Sequence, residues 1–305
     1  MIIKPKFYLT FAGIILILSL CLLSKPIFSY LERERKYLKE KRKAVEVSYY
    51  LPDFEGLARH VISPEESPDI EPDSYISYYT KVEEKYPDLK TVYPFQGYFY
   101  AKAEYFDKAI EAYELAVKDN PYHFWSYYNL ALLYHRKEDF LTSNNLLHQA
   151  LVTNPKATFY VINQMPLYRQ IWKHIPAPGE VIMSNLKKGI QDCFALLIIN
   201  LYNLKEYEGL LKVFPMALEK DFSRKAFYYY YAGLASYQLK RYELALLFLQ
   251  EVIKHDNQNK KAFYYLALVY MESGNEKMAD AAMQRAKALN ETGAVSDGAL
   301  FYRLF

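Results

Sequence analysis

GYFYAKAEYFDKAIEAYELAVKDNP, residues 97–121, decides the fold of this 305-residue chain. The stretch has no Ser–His pair, no cysteine cluster and no glycine-rich loop. It has a grid instead. With residue 90 as position 1, Gly97, Ala109, Tyr113, Ala116 and Pro121 fall at positions 8, 20, 24, 27 and 32. Counting again from Phe124, 34 residues on, Ala131, Ser143, Leu147, Ala150 and Pro155 take the same five positions, with Tyr134 at 11. From Ala226, the residues Tyr229, Gly233, Ala245, Leu249 and Val252 fall at 4, 8, 20, 24 and 27. From Lys260 the copy reads Phe263, Ala267, Tyr270, Ala279, Met283 and Ala286, and a weaker copy from Gln191 reads Phe194, Leu197, Leu201, Phe214 and Ala217. Position 17 is aromatic in four copies (Phe106, Phe140, Tyr207, Tyr242) and Glu276 in the last.

A period of 34 with these residue types resembles the tetratricopeptide repeat family, which implies two antiparallel helices per unit. Helix packing then explains the grid. Small residues at 8, 20 and 27 let the two helices approach, large ones at 4, 11, 17 and 24 fill the space between them, and proline at 32 stops the second helix. One pair cannot bury its own apolar face, so pairs must stack. The resemblance implies an all-α superhelix of about five to six helix pairs. The units lie near 90–123, 124–157, 158–190, 191–225, 226–259 and 260–290. The third unit, TFYVINQMPLYRQIWKHIPAPGEVIMSNLKKGI, has the right length but breaks the pattern: Pro166 interrupts its first helix and IPAPG at 175–179 reads as a loop. It is either drift in a middle repeat or a kink that makes a partner-specific surface. Residues 74–86 read as a helix capping the front of the array and 291–305, ending ALFYRLF, as a cap for the back.

Ahead of the repeats, 74–305, lie three shorter segments. Residues 1–29 hold an uncharged apolar run, FYLTFAGIILILSLCLL at 7–23, whose apolar character extends to about 28. That is long enough to span a bilayer. The absence of an Ala-x-Ala cut site favours an uncleaved single-pass anchor over a signal peptide. Cys21 follows Leu20, which disfavours lipid attachment. Residues 30–62 form a charged stem and membrane-proximal segment, and 63–73, SPEESPDIEPD, a Pro/acidic linker. The excess of Lys and Arg after the apolar run leans toward a cytoplasmic repeat domain, whereas the six-residue N-terminal tail argues the opposite orientation. YYLPDFEGLARHVI at 49–62, behind the anchor, is similar to a group of bacterial membrane-anchored repeat proteins, a likeness that implies a bacterial inner membrane and supplies no activity.

With 38 Lys+Arg against 35 Asp+Glu, net charge gives no electrostatic case for nucleic acid. Two cysteines make neither a disulfide framework nor a zinc site, and the six histidines show no metal-ligand spacing. No P-loop, dinucleotide fingerprint or GxSxG occurs. The expectation is a non-enzyme with no catalytic residues, cofactor or metal.

The resemblance further implies that first helices line a concave face through positions 2, 5, 9, 12 and 13. Carried onto this sequence, the candidate partner-binding groove comprises Tyr98, Lys102, Trp125, Tyr128, His135, Arg136, Tyr202, Phe227, Tyr230, Tyr237 and Tyr264. One subset of the family clamps chaperone C-termini with Asn at position 9. Here that position is Tyr98, Leu132, Ile199, Leu234 and Leu268, so the clamp is absent. An aromatic groove suits a peptide, an amphipathic helix or, by stacking, a glycan. The expected function is a membrane-anchored scaffold that binds a protein partner to assemble an envelope-associated complex. The alternatives are an accessory subunit of a membrane enzyme, a part of a polysaccharide or secretion system, or a glycan-binding module. Self-association is also compatible with an array of this kind.

Overall fold

A computed structural model describes residues 32, 35, 54–62, 71–153, 155–289 and 303. The expected anchor at 7–28, most of the charged stem and the linker at 63–70 lie outside the described residues. Among the described residues no helix is long and apolar enough to cross a membrane. They form fourteen α-helices and no strand. In order these are α1 Phe54–Ile62, α2 Pro72–Lys85, α3 Tyr93–Lys102, α4 Phe106–Asp119, α5 Phe124–Arg136, α6 Phe140–Val152 and α7 Pro155–Gln164. Then come α8 Pro166–Trp172, α9 Pro178–Asn203, α10 Tyr207–Lys220, α11 Lys225–Gln238, α12 Tyr242–His255, α13 Lys260–Glu272 and α14 Glu276–Ala288. The expected all-α repeat architecture is present, with α3–α4, α5–α6, α9–α10, α11–α12 and α13–α14 as packed pairs.

The grid residues do what their size requires. Ala109, Ala131, Ser143, Ala150, Ala217, Ala245 and Ala267 are all buried where paired helices cross. A Cβ on Gly97, position 8, would stand 2.8 Å from the ring of Tyr113, position 24 of the same unit; on Gly233 it would stand 2.8 Å from Leu249 Cγ, again position 8 against 24. In the second unit Ser143 donates its hydroxyl to the Ala131 carbonyl at 2.8 Å, joining position 20 to position 8.

A second register mark is invisible to residue type. Each first helix ends on a left-handed residue at position 15: Glu104, Glu138, Lys205, Lys240 and Gly274, with φ 62°, 61°, 60°, 58° and 75°. The next N–H then reaches back five residues, as in Tyr105 to the Tyr100 carbonyl and Arg241 to the Ser236 carbonyl, both at 2.8 Å. This closes the orphan carbonyls of the helix end and turns the chain into the second helix. Four of the five are not glycine, so the sequence does not advertise the turn.

The third unit departs from pair geometry altogether. Pro166 does interrupt it, ending α7 at Gln164 and opening α8 as its first residue. After a turn through left-handed Ala177 (φ 48°), Pro178 starts a 26-residue helix that runs across the expected boundary at 190. That helix, α9, packs directly on α6, so the fourth unit stacks on the second. The intervening 155–177 fold back over units one and two. Tyr168 lies 4.5 Å from Phe95 by ring centroid, and α8 packs on α1. Leu57, Ala58 and Val61 of α1 are buried in the same core. Residues 54–62, read above as a membrane-proximal segment, pack with this array: α1 lies on α8, and Asn185 of α9 donates to the Val61 carbonyl. At the front, α2 lays Tyr75 on Phe99 (4.4 Å) and Tyr79 on Phe95 (5.1 Å).

Candidate functional site

The excursion of the third unit changes what the first helices offer. Of the expected groove residues, Trp125 and Tyr128 on α5, Tyr98 on α3, and Phe227 and Tyr230 on α11 are buried. The rings of Phe124 and Trp125 are wedged under α9 at Gly189, where a Cβ would come within 2.3 Å of Trp125 Cζ3 and 2.7 Å of Phe124 Cε1. Trp125, Phe227 and Tyr230 are therefore corrected from contact residues to core, and Tyr98 and Tyr128 are buried as well. The sequence could not show it, because what covers Trp125 is a helix 60-odd residues downstream.

The other six stay nearer solvent. His135, Tyr202 and Tyr237 are half-buried, and Lys102, Arg136 and Tyr264 are exposed. His135 Nδ1 lies 2.6 Å from Asn200 Oδ1, and the Asn200 amide donates to Ser143 Oγ (2.8 Å) and Asn144 Oδ1 (2.9 Å), a buried knot tying α9 to unit two. Arg136 lies over the Phe106 ring at 4.4 Å. Tyr202 packs edge-on to Tyr231, and Tyr237 and Tyr264 both pack on Tyr265. The eleven are not brought together into one surface.

A different set does converge. Asp192, at position 2 of α9's repeat, is 2% exposed. It accepts from Arg303 Nε (3.0 Å) and Nη2 (2.7 Å) and from Arg224 Nη2. Arg224 Nε also pairs with Asp221 at 2.9 Å, and fully buried Asp221 accepts from Ser223 Oγ and, at 3.3 Å, from Tyr228 Oη. Asn129, 1% exposed on α5, donates to the Arg303 carbonyl (2.6 Å) and to Tyr113 Oη (2.8 Å) and accepts from the Arg303 N–H at 2.9 Å. Tyr98 and Tyr128 adjoin the cluster: burial drives both phenols well above their ordinary pKa, and Arg303 opposes the rise. Both phenols stay protonated at any physiological pH, and act here as neutral hydroxyls.

Arg303 lies in the segment read as a back cap, 291–305. It is found instead on the first-helix face between α5 and α9, where the buried Asp192 carboxylate and the Asn129 carboxamide meet it. Sequence reasoning missed Asn129, Arg224 and Arg303. The one available signal was Asp192, a carboxylate within the apolar run IQDCFALLI. Its neighbour Cys193 is fully buried, and burial pushes its thiol pKa up, so it is unreactive. Among the described residues no group of three or more His, Cys, Asp or Glu is placed to hold a metal ion.

Comparison with known proteins agrees with the architecture. The family model of the tetratricopeptide repeat matches residues 92–123. Among curated proteins none matches the chain. Among solved structures, the chain is similar to MamA at 16% identity and TM-score 0.52, over 70% of this chain and 99% of that one. It is also similar to YrrB, described as a TPR protein with an unusual peptide-binding site, at 16% identity and TM-score 0.51, over 72% of this chain and 95% of that one. With the 34-residue period, the matched repeat and the paired helices in hand, the described residues carry the fold of a tetratricopeptide repeat array.

Proposed function

We propose that this chain is a membrane-anchored scaffold that binds a protein partner on its first-helix face and so assembles an envelope-associated complex. One observation carries the reading: Asn129 holds both main-chain groups of a single residue, Arg303, while Asp192 holds that residue's side chain. A helical array that hydrogen-bonds both main-chain groups of one residue is equipped to bind a peptide segment. The peptide-binding site named for YrrB is in keeping with this use of the fold. The apolar run at 7–23, followed by a charged stem, supplies the anchor in this reading. The glycan alternative loses its main support, since five of the expected stacking rings are in the core.

The test is capture from detergent-solubilised bacterial envelope. Full-length chain and a variant carrying Asn129→Ala with Asp192→Asn are compared after circular dichroism shows equal helicity. The expected result is one stoichiometric protein partner retained by the parent and lost by the variant. Equal retention by both would remove the first-helix face from the function.

A further inference from the structure

Resting on that reading of the first-helix face, we propose that Arg303 is a tethered competitor, occupying within its own chain the place of an arginine in the partner's extended segment. Three features argue for this.

The first is the form of recognition. Asn129 accepts from the N–H and donates to the carbonyl of one residue (2.9 and 2.6 Å). A residue turns both groups to the same side only in an extended chain, as in a hydrogen-bonded β pair. The carboxamide thus acts as a neighbouring strand and reads main chain, whatever the side chain. The Asp192 carboxylate then selects what hangs from it, taking two guanidinium nitrogens.

The second is charge. Two carboxylates, Asp192 and Asp221, face two guanidiniums, Arg224 and Arg303. Removing Arg303 leaves one buried negative charge in excess, which a low-dielectric site does not tolerate. The site therefore holds a cation on an extended backbone at all times, and a partner enters by exchange for the tail.

The third is what Arg303 leaves unused. Tyr128 Oη and Arg224 Nη1 are buried and without a hydrogen-bond partner among the described residues. Both belong to the same electrostatic cluster as Asp192. A buried donor left unpaired is costly. A partner segment that presents an arginine with an acceptor beside it satisfies these donors and displaces Arg303, which does not.

The probe is a fluorescein-labelled peptide DGALFYRLF, the chain's residues 297–305, titrated by anisotropy against full-length parent and Arg303→Glu chains of equal helicity. The Arg303→Glu chain is expected to bind it at least tenfold more tightly than the parent, with Arg303→Lys between. A peptide with alanine in place of its arginine is expected to lose at least tenfold on the same chain. Adding Asp192→Asn to that chain is expected to abolish the preference for arginine. Equal affinity for parent and Arg303→Glu, no binding to either, or indifference to the peptide's arginine would each overturn the proposal. So would a dimeric parent that Arg303→Glu converts to monomer, because the tail would then dock in a second copy. If the peptide behaves as expected but the opened chain captures no partner, the tail's role stands and the scaffold reading falls. If capture depends on Asn129 and Asp192 yet is equal in parent and Arg303→Glu, the scaffold stands and the competitor falls.

Discussion

Gly189→Ala adds one methyl group at the point where α9 crosses α5. In the wild-type geometry that carbon would sit 2.3 Å from Trp125 Cζ3, 2.7 Å from Phe124 Cε1 and 2.8 Å from Trp125 Cη2. Carbon atoms in contact rest at about 3.5–4.0 Å, so the overlap exceeds an ångström against two rings at once. Neither ring has room to yield: Phe124 is 0% and Trp125 1% exposed, and they already pack edge-to-face at 4.7 Å. The helix must move instead, loosening the contact through which the fourth unit stacks on the second. Overpacking of this kind costs about 1–3 kcal/mol, and the two-ring clash places it at the upper end. Exchanging glycine for alanine inside a helix returns about 1 kcal/mol. The net expectation is a destabilisation of about 1–2 kcal/mol. Gly209→Ala is the control. On α10 the nearest atom to the added carbon is 3.6 Å away, ordinary contact, so only the propensity gain remains and stability rises by about 0.5–1 kcal/mol. Urea unfolding followed by circular dichroism reads both. Tryptophan emission reports the site itself, because Trp125 is one of only two tryptophans in the chain. A Gly189→Ala chain as stable as the parent, or two variants that shift in the same direction, would refute the placement of α9 on Trp125.

Three further expectations come from single residues. His123 caps α5 by accepting from the Ser126 N–H at 3.2 Å and pairs through Nε2 with Tyr168 Oη at 3.1 Å; burial pushes its pKa down from 6.5 to about 3. The unfolded chain therefore binds the extra proton between those values, so His123's stabilisation is complete above pH 6.5 and lost as pH falls toward 3. Unfolding titrations at pH 7 and 4.5 should differ by about 2–3 kcal/mol from this group, and His123→Gln should flatten that part of the profile. Lys240→Gly relieves a left-handed backbone (φ 58°) and should raise stability by about 0.5–1 kcal/mol, net of the freer unfolded chain, as a thermal or urea midpoint shift. Asn200→Ala, which removes the acceptor facing His135 and the amide that donates to Ser143 and Asn144, should cost about 1–3 kcal/mol, and a double-mutant cycle with Ser143→Ala should show non-additivity.

What was legible in the sequence follows a physical division. Gly97 against Tyr113 and Gly233 against Leu249 are contacts within one helix pair, 16 residues apart, and a repeat must satisfy them in every copy. Period and residue size therefore reveal them. The left-handed turns at position 15 recur as faithfully, but Glu, Lys and Gly all adopt them, so spacing without composition hides them. Exposure is harder still. Trp125 and Tyr128 occupy positions that line the open face of a regular array, and nothing local distinguishes a ring facing solvent from one beneath a helix.

The sequence by itself determined the helix pairs, their register and the break at Pro166, because each rests on neighbours within about one repeat. Only the tertiary structure decided where the broken unit goes, which rings it buries and what the first-helix face holds. Tyr168 meets His123 across 45 residues, Arg303 meets Asp192 across 111, and Arg303 meets Asn129 across 174. These contacts join parts of the chain that share no period. A lone carboxylate, a carboxamide and an arginine come together only once the stack has brought α5, α9 and Arg303 into contact.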